Sequence, residues 1–198
     1  METETKIWLV RHGQTEWNRL KRIQGTGDIE LNEIGLQQSE QVANYLKGEV
    51  FSAIVSSPLK RAVETAKIIQ KKNKQSPPLE TDKDLVERDY GKISGLTYEE
   101  RAQLPPSVDN YGVETLEELA RRAADVLDRL EKRYRGEQLL AVSHGGFIKT
   151  LISNSVNSMG DRSKMVIDNC SITKLAYRNE KWVLIKQNII EHLDGTLF

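Results

Sequence analysis

A layered α/β fold is what this 198-residue sequence predicts, on three observations. Strand and helix patterns alternate through most of the chain instead of separating into an all-α and an all-β block. Two short apolar runs, Lys6 to Val10 and Gln138 to Ser143, each lead into a histidine followed by glycine, with a helical pattern beginning just beyond. No repeat or low-complexity tract interrupts the chain, and its length suffices for one compact core. A single domain over residues 1–198 is expected.

The elements follow in order. Lys6 to Val10 reads as a buried strand and Thr15 to Leu20 as a helical turn after it. Asn32 is a suitable N-cap for a helix to Lys47, with Ile34, Gln38, Val42 and Leu46 on one face and Gly48 at its end. Ala53 to Val55 gives a short strand. Ser57-Pro58 then places a capping residue before a first-turn proline, and Ala62, Ala66 and Ile69 supply the inward stripe of the helix they open. Arg61 falls in its first turn. Asn73 to Pro78 and Gln103 to Gly112 are loops, the second containing Pro105-Pro106. Thr115 and Glu118 form a capping box, after which Leu116, Leu119, Ala120, Ala123, Leu127 and Leu130 keep helical spacing to about Arg135. Gln138 to Ser143 is a strand and Phe147 to Asn154 a helix. Ser171 to Tyr177 and Lys181 to Gln187 are strands joined at Asn179-Glu180, which either offer an edge for a homodimer or simply complete the sheet.

Composition excludes several function classes. Lys plus Arg and Asp plus Glu both number 29, so no net field collects nucleic acid or an anionic membrane. Any phosphate affinity must be local. No run approaches the ~20 apolar residues of a membrane span, and the early run Ile7 to Val10 is shorter than a signal-peptide core. A single cysteine, Cys170, allows neither an intramolecular disulfide nor a cysteine zinc cluster. A cytoplasmic location is expected.

The chemistry should gather at strand ends, where ligands bind in open α/β sheets. One histidine after a strand is more often a packing residue, but here Arg11-His12-Gly13 and Ser143-His144-Gly145 repeat the arrangement. Each glycine lets an anion approach backbone N–H groups. Two such ends imply one pocket between two strands. A phosphate there needs charge-assisted donors, for which arginine's planar fork is suited, and Arg11 and Arg61 are the candidates. Arg61 also lies near a helix N-terminus, which attracts anions.

Several segments taken together resemble the histidine phosphatase superfamily, which includes the cofactor-dependent phosphoglycerate mutases. They are Leu9 to Asn18 (LVRHGQTEWN), Gln24-Gly25, Leu31 to Gly35, Ser56 to Ala62 with Glu64 to Ala66, Glu87 to Gly91, Glu114 to Leu116 and Val142 to Gly146. The resemblance covers nearly the whole chain. It implies a three-layer α/β/α sandwich, phosphoglycerate mutase-like, with a central, mostly parallel sheet flanked by helices and a small lid around residues 88–114. It further implies that His12 takes the phosphoryl group, that Arg11, Arg61 and His144 hold its oxygens, and that Glu87 is the proton donor. Asn18, Gln24, Gly25 and Gly145 would line the substrate side. Neither metal nor cofactor is implied, because fixed cations can stabilise phosphoryl transfer. His192 is assigned packing or capping.

The expected partner is a small phosphorylated metabolite. Mutases of the family carry a lysine where Tyr98 stands and a pair of arginines that this chain lacks after Glu100. The stretch from Arg101 to Val113 is short and carries no further Lys or Arg, predicting a weakly cationic lid. A phosphatase is therefore preferred to a mutase. A non-catalytic phospholigand binder is the third reading, and His12 and Glu87, superfluous to a binder, argue against it. Tyr90, Tyr98 and Tyr111 either line the lid or pack.

Overall fold

The computed structural model describes residues 4–105, 111–155 and 162–195. Among the described residues six strands form one sheet: β1 (Thr5–Arg11), β2 (Ile54–Ser56), β3 (Leu79–Thr81), β4 (Gln138–Ser143), β5 (Ile172–Arg178) and β6 (Lys181–Ile189). Their order across the sheet is β3-β2-β4-β1-β5-β6. The first four are parallel, while β5 runs antiparallel to β1 and β6 antiparallel to β5. The mostly parallel sheet is thus present, with the antiparallel pair β5 and β6 at one side and β6 at its edge.

Strand periodicity makes the layers. Along β1, Ile7 and Leu9 project to one face and Trp8 and Val10 to the other. On the first face they meet α5 (Leu116–Arg133) and α6 (Gly145–Ser155) through Leu119, Val126, Phe147 and Leu151. On the second they meet α2 (Glu33–Tyr45) and α3 (Lys60–Lys72) through Val42, Ala62, Ala66 and Ile69. A sheet buried on both sides needs apolar residues at every position, which explains the unbroken run Ile7 to Val10. Leu119 is fully buried, so its truncation to alanine would cost about 2–5 kcal/mol.

Helix starts follow local chemistry. Asn32 accepts the Gly35 N–H at 2.8 Å and caps α2, and Thr115 with Glu118 closes the capping box of α5. The start of α3 differs from expectation. Leu59, without a capping side chain, precedes Lys60, whose N–H goes to the Asp28 carboxylate at 2.7 Å. Ser57 Oγ accepts the Leu59 N–H at 3.4 Å ahead of the helix and also meets His144, as described below. Two short elements also went unpredicted: β3 and α4 (Tyr98–Ala102), with a one-turn α1 (Glu16–Arg19) agreeing with the turn expected there. Three residues are too few for periodicity to reveal β3, whereas the Thr97/Glu100 capping box of α4 was readable.

Of the expected lid, residues 106–110 lie outside the described ones. Its first part is tied down: Ile23 N–H donates to the Leu96 carbonyl at 2.9 Å and Gly95 N–H to the Ile23 carbonyl at 2.7 Å. Among the described residues no helix is long and apolar enough to cross a membrane.

Candidate active site

His12 stands one residue beyond β1 and His144 one beyond β4. These strands are parallel neighbours with Arg11 opposite Ser143, so both rings emerge at the same sheet end, centroids 5.0 Å apart. Both are buried. His12 Nδ1 lies 2.7 Å from the Gly13 carbonyl, an acceptor only, so Nδ1 carries the proton and Nε2 offers its lone pair. Arg61 Nε sits between the rings, donating to His12 Nε2 at 3.2 Å and His144 Nδ1 at 3.3 Å. His144 Nε2–H then donates to Ser57 Oγ at 2.8 Å.

Arg61 is itself fixed from behind. It is fully buried in α3's first turn, and its Nη1 and Nη2 donate to the carbonyls of Gly27 at 2.6 Å and Gly25 at 2.8 Å. Gly25 presents that carbonyl from a left-handed backbone, φ +52°, a conformation that suits glycine. Burial lowers Arg61 to about 10, leaving it cationic at neutral pH. Burial first, then the charges of Arg61 and Arg11, hold His12 well below its ordinary 6.5. His144 is likewise held down, by burial first and then Arg61. Both rings are neutral at pH 7, and His12 presents an unprotonated nitrogen beside a cation.

Glu87 arrives from the far side. Its Oε2 accepts the Gly146 N–H at 2.9 Å and its Oε1 the N–H groups of Phe147 and Arg88, each at 2.9 Å. Two of these donors belong to the N-terminus of α6, the end that favours negative charge. The helix N-terminus used in this site is therefore that of α6, since the first N–H of α3 is occupied by Asp28.

A cavity of about 330 Å³ opens over these groups. His12, Arg11, Arg61 and Glu87 line it, together with the expected Asn18, Gln24, Gly25 and Gly145. His144 does not reach its wall and stands behind Arg61. Tyr90 and Tyr98 line the cavity and Tyr111 does not. Arg22, Arg101, Lys149 and Arg162 also face it, so the cavity is cationic although the stretch from Arg101 to Val113 supplies only Arg101. Three of these cations come from outside the lid, where linear sequence gave no sign of convergence.

Sequence reasoning also missed Arg122. From α5 it donates to the carbonyls of Asp84 at 2.7 Å, Val86 at 2.8 Å and Glu87 at 3.3 Å, while pairing with both carboxylate oxygens of Glu114. Glu114 in turn accepts the Asp89 N–H at 3.1 Å and, through its carbonyl, Arg88 Nε at 2.7 Å. This pair braces the segment on both sides of Glu87. The Glu114-Thr115-Leu116 motif was the available signal. Cys170 is buried with its thiol pushed up to about 12, which removes it as a nucleophile at neutral pH. His192 packs as expected, bonded to the Cys170 carbonyl at 2.9 Å and ring to ring with Tyr45. Among the described residues no three His, Cys, Asp or Glu side chains cluster as metal ligands.

The profile of the Histidine phosphatase superfamily (branch 1) matches residues 7–190. The chain belongs to the histidine phosphatase superfamily. Its relatives include the "Uncharacterized phosphatase PhoE" of Bacillus subtilis, 36% identical over 96% of this chain and 98% of that protein. The "Metal-independent phosphoserine phosphatase" of Arabidopsis thaliana is 33% identical over 98% of this chain and 85% of that one. Among solved structures, an Entamoeba histolytica phosphoserine phosphatase mutant in complex with phosphoserine superposes with a TM-score of 0.83, at 32% identity over 96% of this chain and 100% of that chain. This histidine phosphatase thus has the phosphoglycerate mutase-like fold, and its relatives support phosphatase activity.

Proposed function

We propose that this chain hydrolyses small phosphomonoesters through a phosphohistidine on His12, without a metal. The observation that carries the reading is His12 Nε2, left unprotonated because the Gly13 carbonyl holds the proton on Nδ1, meeting the Arg61 N–H at 3.2 Å on a cavity that His12, Arg11, Arg61 and Glu87 all line. In the first step Nε2 attacks phosphorus and the bond to the ester oxygen breaks, with Glu87 donating a proton to the leaving alkoxide. In the second, water attacks the phosphohistidine, Glu87 takes its proton, and the P–N bond breaks to free phosphate. Arg11 and Arg61 neutralise the phosphoryl oxygens, and His144 and Ser57 keep Arg61 oriented. Residues 88–114 would cover the pocket as a lid within a single domain.

Phosphate release from a panel of phosphomonoesters tests this, before and after exhaustive chelation. Release from several esters that survives chelation supports the reading. Loss on chelation, restored by added metal, would defeat it. The additional cations at the cavity favour a mutase as second reading. It predicts isomerisation of 3-phosphoglycerate that depends on 2,3-bisphosphoglycerate and frees little phosphate.

A further inference from the structure

The loop that leads into β5 wraps the strand end carrying Arg11 and His12. Arg11 N–H donates to the Ser171 carbonyl at 3.2 Å, and Arg11 Nη1 to the Ile167 carbonyl at 2.7 Å. Cys170 N–H returns to the Arg11 carbonyl at 2.9 Å from a left-handed backbone, φ +55°, a conformation that an L side chain keeps only where its surroundings impose it. None of these loop residues takes part in the two chemical steps. One of them, Asn169, nevertheless reaches two residues of the site at once.

Asn169 Nδ2 has two hydrogens and two acceptors. It donates to the His12 carbonyl at 2.9 Å and to Asn18 Oδ1 at 3.3 Å. Asn18 lies on α1 and lines the cavity. Its Oδ1 also accepts the Thr15 N–H and the Thr15 hydroxyl, each at 3.1 Å. A backbone N–H can only donate, so the Asn18 atom it meets is the oxygen. Three donors on Oδ1 fix the amide, and Nδ2 is the end that Asn18 has left to offer a ligand. The His12 ring is tied to its own backbone through the Gly13 carbonyl, so holding the His12 carbonyl also holds the ring.

The last hairpin anchors Asn169 from behind. Its neighbour Asp168 donates its N–H to Asn188 Oδ1 at 2.7 Å and accepts from Asn188 Nδ2 at 2.8 Å. Asn188, left-handed at φ +51°, sits where β6 bulges between the pairs Ile172 with Ile189 and Lys174 with Lys186. Bulges commonly re-aim a side chain in this way.

We propose that Asn169 is a positioning residue, which sets the Asn18 amide relative to His12 Nε2 so that both meet the phosphoryl group together in the transition state. The inference rests on His12 as the attacking residue. Phosphoryl transfer draws its rate largely from positioning, so such a tie acts on turnover more than on substrate binding.

Asn169→Ala and Asn18→Ala, singly and together, test this. The readouts are kcat and KM for p-nitrophenyl phosphate, the affinities of orthovanadate and inorganic phosphate by calorimetry, and Tm. Vanadate adopts the five-coordinate geometry of the transition state and phosphate does not. Asn169→Ala is expected to lower kcat and vanadate affinity by about tenfold or more, with KM and phosphate affinity within about threefold of the unsubstituted enzyme. In the Asn18→Ala background the same substitution should cost less than about threefold, because the amide it positions is gone. A lower Tm with unchanged kcat, equal weakening of vanadate and phosphate, or an undiminished loss in the Asn18→Ala background overturns the proposal. If Asn169→Ala has no thermal transition, Asn169→Ser, which keeps a single donor, replaces it and should lower kcat at least threefold at unchanged KM. Failure of every ester to release phosphate would defeat the phosphatase reading, while the ratio of vanadate to phosphate affinity still decides the role of Asn169.

Discussion

Gly146 and Glu87 together define one position in the site. The Gly146 N–H donates to Glu87 Oε2 at 2.9 Å, and a β-carbon on Gly146 would lie 2.6 Å from Glu87 Oε1. That distance is below any real contact, so Gly146→Ala must displace the carboxyl. We expect kcat for alkyl phosphates to fall by about 10–100-fold, since ~1 Å misplacement of a catalytic group can cost 10², with little change in Tm. Unchanged kcat would show that Glu87 works from another position.

Glu87→Gln should depend on the leaving group. An alkoxide needs protonation, so kcat/KM for glycerol phosphate should drop by about 10²–10⁴. Nitrophenolate leaves unaided, and p-nitrophenyl phosphate should lose far less. Equal losses for the two esters would remove Glu87 from the role of proton donor.

His12→Ala should reduce turnover by about 10⁴-fold or more, as expected when a covalent nucleophile is removed. Rapid acid-free quenching of the unsubstituted enzyme with labelled substrate should trap phosphate on the protein that is stable to alkali and lost in acid. Hydrolysis retained by the variant would refute the phosphohistidine route.

Arg122 and Glu114 act on Glu87 through its backbone, so their substitution should move kcat and spare KM. About a tenfold loss in kcat is expected for Arg122→Gln and for Glu114→Gln. The double variant should be little worse than either single one, because the two side chains form one unit. Arg122→Lys should rescue poorly, as a single ammonium cannot replace a planar fork that reaches three carbonyls and a carboxylate. Additive losses, or a rise in KM alone, would show a different role.

The two buried histidines predict how stability varies with pH. Their folded pKa values lie below the 6.5 of the unfolded chain, so below pH 6.5 the unfolded state binds more protons. Stability is therefore full above about 6.5 and falls as pH drops from there toward the depressed folded values. The slope is at most about 1.4 kcal/mol per pH unit for each histidine. Denaturation midpoints between pH 7 and 5 should show this loss, and His144→Asn should flatten it. A midpoint constant over that range would mean that the rings are not held neutral.

The regular elements were legible because period and caps are local. Ile7 to Val10, the Thr115/Glu118 box, the Asn32 cap and the Thr97/Glu100 box of α4 each state their structure within a few residues. Arg11-His12-Gly13 and Ser143-His144-Gly145 likewise identified two strand ends and the residues that meet there. What the sequence alone determined is thus the layered class, the family resemblance and the inner ring of the site. Tertiary structure decided the rest. Only the pairing of β1 with β4 brings the two histidines together, and only α6 supplies the amides that hold Glu87. Asp28, distant in sequence, takes the first helical N–H of α3, and Ser57, a local cap by its sequence, meets His144 instead of a helical N–H. Arg22, Lys149 and Arg162 converge on one cavity although nothing local relates them, since a charged side chain's partner depends on three-dimensional proximity, which no short-range pattern encodes.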